Sequence, residues 1–143
     1  MADADALYAL VPNIRTHLGL SDTSAVNAVL TDLITQASRS IDAYCGKGAR
    51  RFYTPTTDET RVFDIPTNKE GILYFDHDLF SLTSLTNGNG VAIASGYYVL
   101  LPPNRTPKYG LQLRPTRGTV WQVDSYGNVE QVLQLTGKWG YSS

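Results

Sequence analysis

The sequence predicts an α+β protein, with an N-terminal helical segment over residues 1–46 followed by an antiparallel β domain over 47–143, a sandwich or a partial barrel. Three observations lead there. An apolar stripe with helical spacing runs up to Gly46. Beyond it Thr, Tyr, Val, Gly and Pro dominate. The later segments alternate apolar and polar residues between turn signals. The two parts are expected to form one structural unit.

Pro12 suits a first helical position and Gly19 a helix end, so a short helix is expected over roughly 11–18. Ser21, Thr23 and Ser24 are candidate N-caps of a longer helix. Its apolar positions are Val26, Val29, Leu30, Leu33, Ile34, Ala37, Ile41 and Tyr44, mostly three or four residues apart. Gly46 suits a left-handed C-terminal cap. Asp32, Gln36, Arg39, Ser40 and Asp42 read as a solvated or partner-facing side.

Strands are expected at 60–65, 72–76, 81–86, 91–94, 97–101, 110–114, 119–124 and 129–139. Asn87-Gly88-Asn89-Gly90 reads as a hairpin turn, because Asn-Gly tolerates positive φ. Tyr126-Gly127-Asn128 marks a second turn. In the last strand Leu133, Leu135, Gly137, Trp139 and Tyr141 share one face.

The chain has 143 residues, 42% hydrophobic and 17% charged, with a net charge of −1. That composition excludes a disordered chain and gives no overall electrostatic reason to bind DNA or an anionic membrane. No apolar run approaches the ~20 residues of a membrane span. The acidic start MADADALYAL is unlike a secretion signal. A lone cysteine, Cys45, excludes an intrachain disulfide. Charge is polarised: residues 54–80 carry six acids against two bases, and residues 81–143 five bases against two acids. Such polarity suits head-to-tail self-association.

No motif points to catalysis, and no cofactor or metal is expected. Asp76-His77-Asp78 cannot all face one ion from a strand and reads as a surface turn. Gly46-Lys47-Gly48 lacks the spacing of a phosphate loop. The basic stretch Lys47-Gly48-Ala49-Arg50-Arg51 reads as a solvated link between the two halves. Trp121 and Trp139 read as core rather than as a stacking platform. The proline-rich stretch Leu101–Pro107 reads as a stiff exposed loop. Its Arg105, with Lys108 and Tyr109 after it, are candidate interface residues. Lys138, Trp139 and Tyr141 are candidates too. Large rings near a chain end either close the domain's own core or dock on a partner; Gly137 and Gly140, which bracket Lys138-Trp139 and would let the segment bend from the sheet, favour docking. The acidic stretch with Asp76 and Asp78 suits a channel wall that must not grip phosphate.

The pieces IRTHLGLSDTS, VLTDLITQASRSIDAYCGKGARRF, DLFSLTSLTNGNG, YYVLLPPNRTPKYGLQLRP and LTGKWGY occur in that order over roughly residues 11–141. Their succession resembles the bacteriophage head–tail connector family, also called adaptor or head completion proteins. The resemblance implies a non-enzymatic virion protein of the phage neck, present in the host cytoplasm during assembly. Copies would form a homo-oligomeric ring of about twelve, closed by cyclic symmetry. The ring would dock on the portal protein, extend the DNA channel and meet a tail-side neck or tail-terminator protein. Packaged DNA would pass through without sequence-specific binding. Many relatives continue into two further helices, whereas this sequence stops at Ser143, so the N-terminal helices are expected to pack on the sheet or on neighbouring copies. The alternatives are another neck component, such as a stopper or tail-completion protein, and a stand-alone ligand-binding β domain.

Overall fold

The computed structural model describes residues 7–46 and 54–141. The chain divides into two compact units, Met1–Arg50 and Arg51–Ser143, each described by itself. It is an α+β protein, with two helices followed by a five-stranded antiparallel sheet.

In the first unit, α1 spans Val11–Leu18 with Pro12 in its first turn. Gly19 ends it at φ 66°, a left-handed conformation that glycine adopts without a Cβ clash. There the N–H of Gly19 donates to the carbonyl of Thr16 and that of Leu20 to Arg15. The longer helix, α2, spans Ser24–Gly46. Of the three candidate caps it uses Thr23, whose Oγ1 accepts from the N–H of Val26 at 3.3 Å. Arg15 ties the helices together, donating to Asp22 at 2.8 Å and to Asn27 at 2.9 Å.

The buried line of α2 differs from the expected stripe. It runs through Leu30, Ile34, Ser38 and Asp42, while Val29, Leu33, Ile41 and Tyr44 are exposed. Asp42, expected on the solvated side, is buried because hydrogen bonds replace its water. It accepts from the Tyr8 hydroxyl and pairs with Arg39 at 3.3 Å. Ser38 donates to the Ile34 carbonyl at 2.7 Å and accepts from the Tyr8 N–H at 3.1 Å. Burial of paired polar groups costs little, which is how two polar residues occupy the covered line.

The second unit holds β1 (Glu59–Phe63), β2 (Ile72–Thr86), β3 (Tyr98–Leu101), β4 (Lys108–Leu113) and β5 (Leu133–Trp139), in the order β1-β5-β2-β4-β3. The expected strands 72–76 and 81–86 are one long strand. Its first half pairs with β4 and its second half with β5, with register shifts near Tyr74, Leu79 and Leu82. Bulges of this kind bend a strand and increase its twist. The bend brings Phe75, from the first half, within 5.7 Å of the Phe63 ring and 5.5 Å of the Trp139 ring. The sheet therefore curls over its own core, which gathers Leu73, Leu79, Leu85, Leu111, Leu133 and Leu135 around these rings.

Segment 91–94 makes only a bridge, Thr86 to Ala92, and segment 119–124 forms no strand. That second segment is held by side chains. The buried amide of Asn87 donates to the Val120 carbonyl at 2.9 Å and accepts from the Gln122 N–H at 2.8 Å. Trp121 donates from its indole to the Gly71 carbonyl at 3.0 Å. The Asn-Gly turn forms, but its positive φ falls at Gly90, not at Gly88. Gly88 is there for space, because a Cβ on it would lie 2.0 Å from the Gln122 carbonyl oxygen.

Candidate functional site

Trp139 is 2% exposed and belongs to the core, which corrects the expectation that it docks on a partner. β5 delivers its ring between Phe63 and Phe75, and Arg61 lies over it at 4.8 Å. Gly137 does not release the tail. It pairs in the sheet with Glu59 and Leu82, and a Cβ there would meet the Ser81 carbonyl oxygen at 2.2 Å. The glycine serves close strand packing. Lys138 sits inside β5, paired opposite Ser81 and partly buried. Tyr141, past the strand, is 52% exposed.

The proline-rich loop joins β3 to β4. Arg105 is exposed at its tip. Lys108 holds the loop rather than projecting from it, since its ammonium donates to the carbonyls of Pro102 and Pro103. Tyr109 faces outward from β4 and stacks on Tyr74 of β2, with ring centroids 6.3 Å apart and planes 12° from parallel. Both rings are about half exposed.

Asp76-His77-Asp78 is no surface turn. It lies within β2, in the stretch where the pairing with β4 shifts register. A 2.6 Å hydrogen bond joins His77 Nδ1 to Asp76 Oδ1. Asp78 is partly buried. Asp76 opens into a groove of about 670 Å³, where it is joined by Asp64 from the end of β1 and Glu130 from the approach to β5. No Lys or Arg lines this groove. The main-chain N–H of Gln131 donates to Asp64 at 2.8 Å and fixes one wall. Three carboxylates with no facing Lys or Arg attract cations and repel phosphate. Asp64 falls in the acidic stretch noted in the sequence, but nothing there joins it to Glu130, 66 positions away.

Among the described residues no cluster of three or more His, Cys, Asp or Glu is placed to hold a metal ion. None of their helices is long and apolar enough to cross a membrane. The basic stretch Lys47–Arg51 and the side chain of Cys45 lie outside the described residues. Comparisons of the chain with protein-family models, curated proteins and solved structures gave no match.

Proposed function

We propose that this chain is a non-enzymatic adaptor of a phage neck. It assembles as a ring on the portal protein, extends the DNA channel and offers a face to the next neck or tail protein. The observation that carries the reading is the order of the resemblance pieces together with the elements on which they fall. The helix-ending piece closes α2. The Leu82-Thr83-Ser84-Leu85 piece lies in the second half of β2 before the Asn-Gly turn, and the Gly137-to-Tyr141 piece holds the last three residues of β5 and the two that follow it. A stiff exposed loop and polarised charge support an assembly role. Arg105, Tyr109 and Tyr141 are its exposed candidate contacts; Lys138 is a weaker one, and Trp139 is withdrawn.

The test is reconstitution with purified portal, viewed by electron microscopy. A ring coaxial with the portal is the expected result. Failure to bind portal, combined with binding to a tail-tube end, assigns the chain to tail completion instead. Binding to neither, with a hit in a glycan screen, returns it to the ligand-binding class.

A further inference from the structure

Two Asn-Gly pairs follow one another in the turn after β2, Asn87-Gly88 and Asn89-Gly90. An Asn-Gly pair carries its own nucleophile. Once the glycine nitrogen has lost its proton to solvent base, it can add to the carbonyl carbon of the Asn side chain, and no Cβ on the glycine obstructs the approach. The fold treats the two pairs differently.

Asn87 is 5% exposed, and its side-chain amide is held at three points. Nδ2 donates to the Val120 carbonyl at 2.9 Å, and Oδ1 accepts from the N–H groups of Gly88 at 2.9 Å and of Gln122 at 2.8 Å. A donor to a carbonyl oxygen lies near the plane of that carbonyl, whereas addition to the carbon comes from above the plane. The bond from Gly88 therefore keeps its nitrogen off the path of attack. Gly88 also packs so closely on the Gln122 main chain that a Cβ would lie 2.0 Å from its carbonyl oxygen, which leaves little room to swing. Water, needed to take the proton and later to open the ring, has little access to this side chain.

Asn89 and Gly90 are both exposed. Gly90 stands at φ 80°, and a Cβ on it would meet nothing within 4 Å. One turn bond, from the Gly90 N–H to the Asn87 carbonyl at 2.9 Å, has to open before the nitrogen is free. A second bond, from the Val91 N–H to Asn89 Oδ1 at 3.1 Å, can stay. It donates to the oxygen on which negative charge gathers during addition.

We propose that Asn89 is a site of spontaneous deamidation and that the fold withholds Asn87 from the same reaction. The bond from the Gly90 nitrogen to Asn89 Cγ forms, the Cγ–Nδ2 bond breaks, and Nδ2 leaves as ammonia after taking up one proton, which replaces the one the Gly90 nitrogen gave up. The five-membered imide then adds one water at either of its carbonyls and opens to aspartate or isoaspartate. No oxidant or reductant takes part. Either product places one negative charge in the turn. Isoaspartate also inserts a methylene into the main chain between Asn87 and Val91, whose N–H to carbonyl bond at 2.9 Å closes the turn. The inference concerns this turn and does not depend on the neck role.

The test incubates the full chain in water enriched in heavy oxygen, at neutral and mildly alkaline pH, and follows its peptides by mass spectrometry. Fragmentation assigns the label to position 87 or 89. In the folded chain Asn89 takes up label at least about tenfold faster than Asn87, whose three bonds must break first. In guanidinium chloride the two sites label at similar rates, because the contacts that protect Asn87 are gone. Asn104, exposed in the proline-rich loop but followed by Arg105, is the control for exposure alone and labels more slowly than Asn89. Equal labelling of Asn87 and Asn89 in the folded chain overturns the inference. So does labelling of Asn89 no faster than that of Asn104, or an excess of Asn89 over Asn87 that persists unchanged in guanidinium chloride.

Discussion

The indole N–H of Trp139 donates to the main-chain carbonyl of Glu59 at 3.0 Å, across 80 positions of sequence. The bond joins the last strand of the β unit to its first. The ring that makes it is covered by Phe63, Phe75 and Arg61. Truncating Trp139 to Ala removes this packing and the indole's hydrogen bond to the Glu59 carbonyl. The expected loss is about 3–5 kcal/mol in urea unfolding. Deleting residues 138–143 is expected to unfold the β unit. A Trp139→Ala change costing under about 1 kcal/mol would show that the ring is not core.

Gly137 and Gly96 make a matched pair. A Cβ at Gly137 drives into the backbone of Ser81, whereas one at Gly96 meets nothing within 4 Å and needs no positive φ. Gly137→Ala is therefore expected to destabilise by roughly 2 kcal/mol or more, since strands must part to admit it. Gly96→Ala is expected to be neutral or to stabilise by up to about 1 kcal/mol through the unfolded chain. Thermal midpoints of the two variants, measured side by side, decide it; similar shifts would contradict the close approach of β5 to β2.

Asn87 is a buried polar residue that holds an irregular segment. Its loss in Asn87→Ala removes the bonds to the Gln122 N–H and the Val120 carbonyl, which lie in exposed residues where water can take its place, at roughly 0.5–1.5 kcal/mol for each bond. The segment from Val120 to Gln122 should detach before the sheet does. Faster amide exchange at Gln122 and a red-shifted Trp121 emission, with β5 amides still protected, is the expected pattern. Uniform loss of protection would mean that the segment and the sheet open together.

These cases show where the sequence is readable. α1 and α2 are legible because periodicity, Pro12, Thr23 and Gly19 are local signals, and local hydrogen bonds answer them. β4 and β5 are legible because Leu111/Leu113 and Leu133/Leu135 alternate onto the core. The single long β2 is not, because its register shifts interrupt the alternation. Segment 119–124 has strand-forming residues, but Asn87 and Trp121 take the roles a ladder would have had. Gly137 looks like a hinge from the sequence, and only the neighbouring strand reveals that it is a contact. The groove is illegible for a simpler reason: Asp64, Asp76 and Glu130 meet only after the sheet has curled.

Asp124 carries a pH effect in the acid range with a clear sign. The main-chain N–H of Asn128 holds its carboxyl below the usual aspartate range, helped by the Asn128 side chain and by the N–H groups of Tyr126 and Gly127. A lowered folded pKa means that the carboxylate stabilises the turn above the unfolded value of about 3.9. That contribution fades as pH falls through the folded value. The carboxyl resonance of Asp124 should titrate below those of ordinary aspartates, and Asp124→Ala should flatten the acid limb of the stability profile. An ordinary titration midpoint would remove the effect.

The loop between β3 and β4 separates a structural cation from a contact cation. Lys108 donates to the carbonyls of Pro102 and Pro103, so its ammonium satisfies two acceptors that the prolines cannot pair by themselves. Arg105, three residues earlier, is exposed and makes no such bond. Lys108→Ala should therefore loosen the loop and cost about 1 kcal/mol, with raised amide exchange confined to residues 104–108. Arg105→Glu should leave the unfolding midpoint within about 0.5 kcal/mol, because nothing in the fold leans on that side chain. If the loop meets a neighbouring protein in the neck, the same charge reversal should block incorporation into heads while the purified protein stays folded. Lys108→Ala should reduce incorporation less, since the contact residue remains and only its presentation is lost. Normal incorporation of Arg105→Glu would take this loop off the assembly surface and leave Tyr109 and Tyr141 as the exposed candidates.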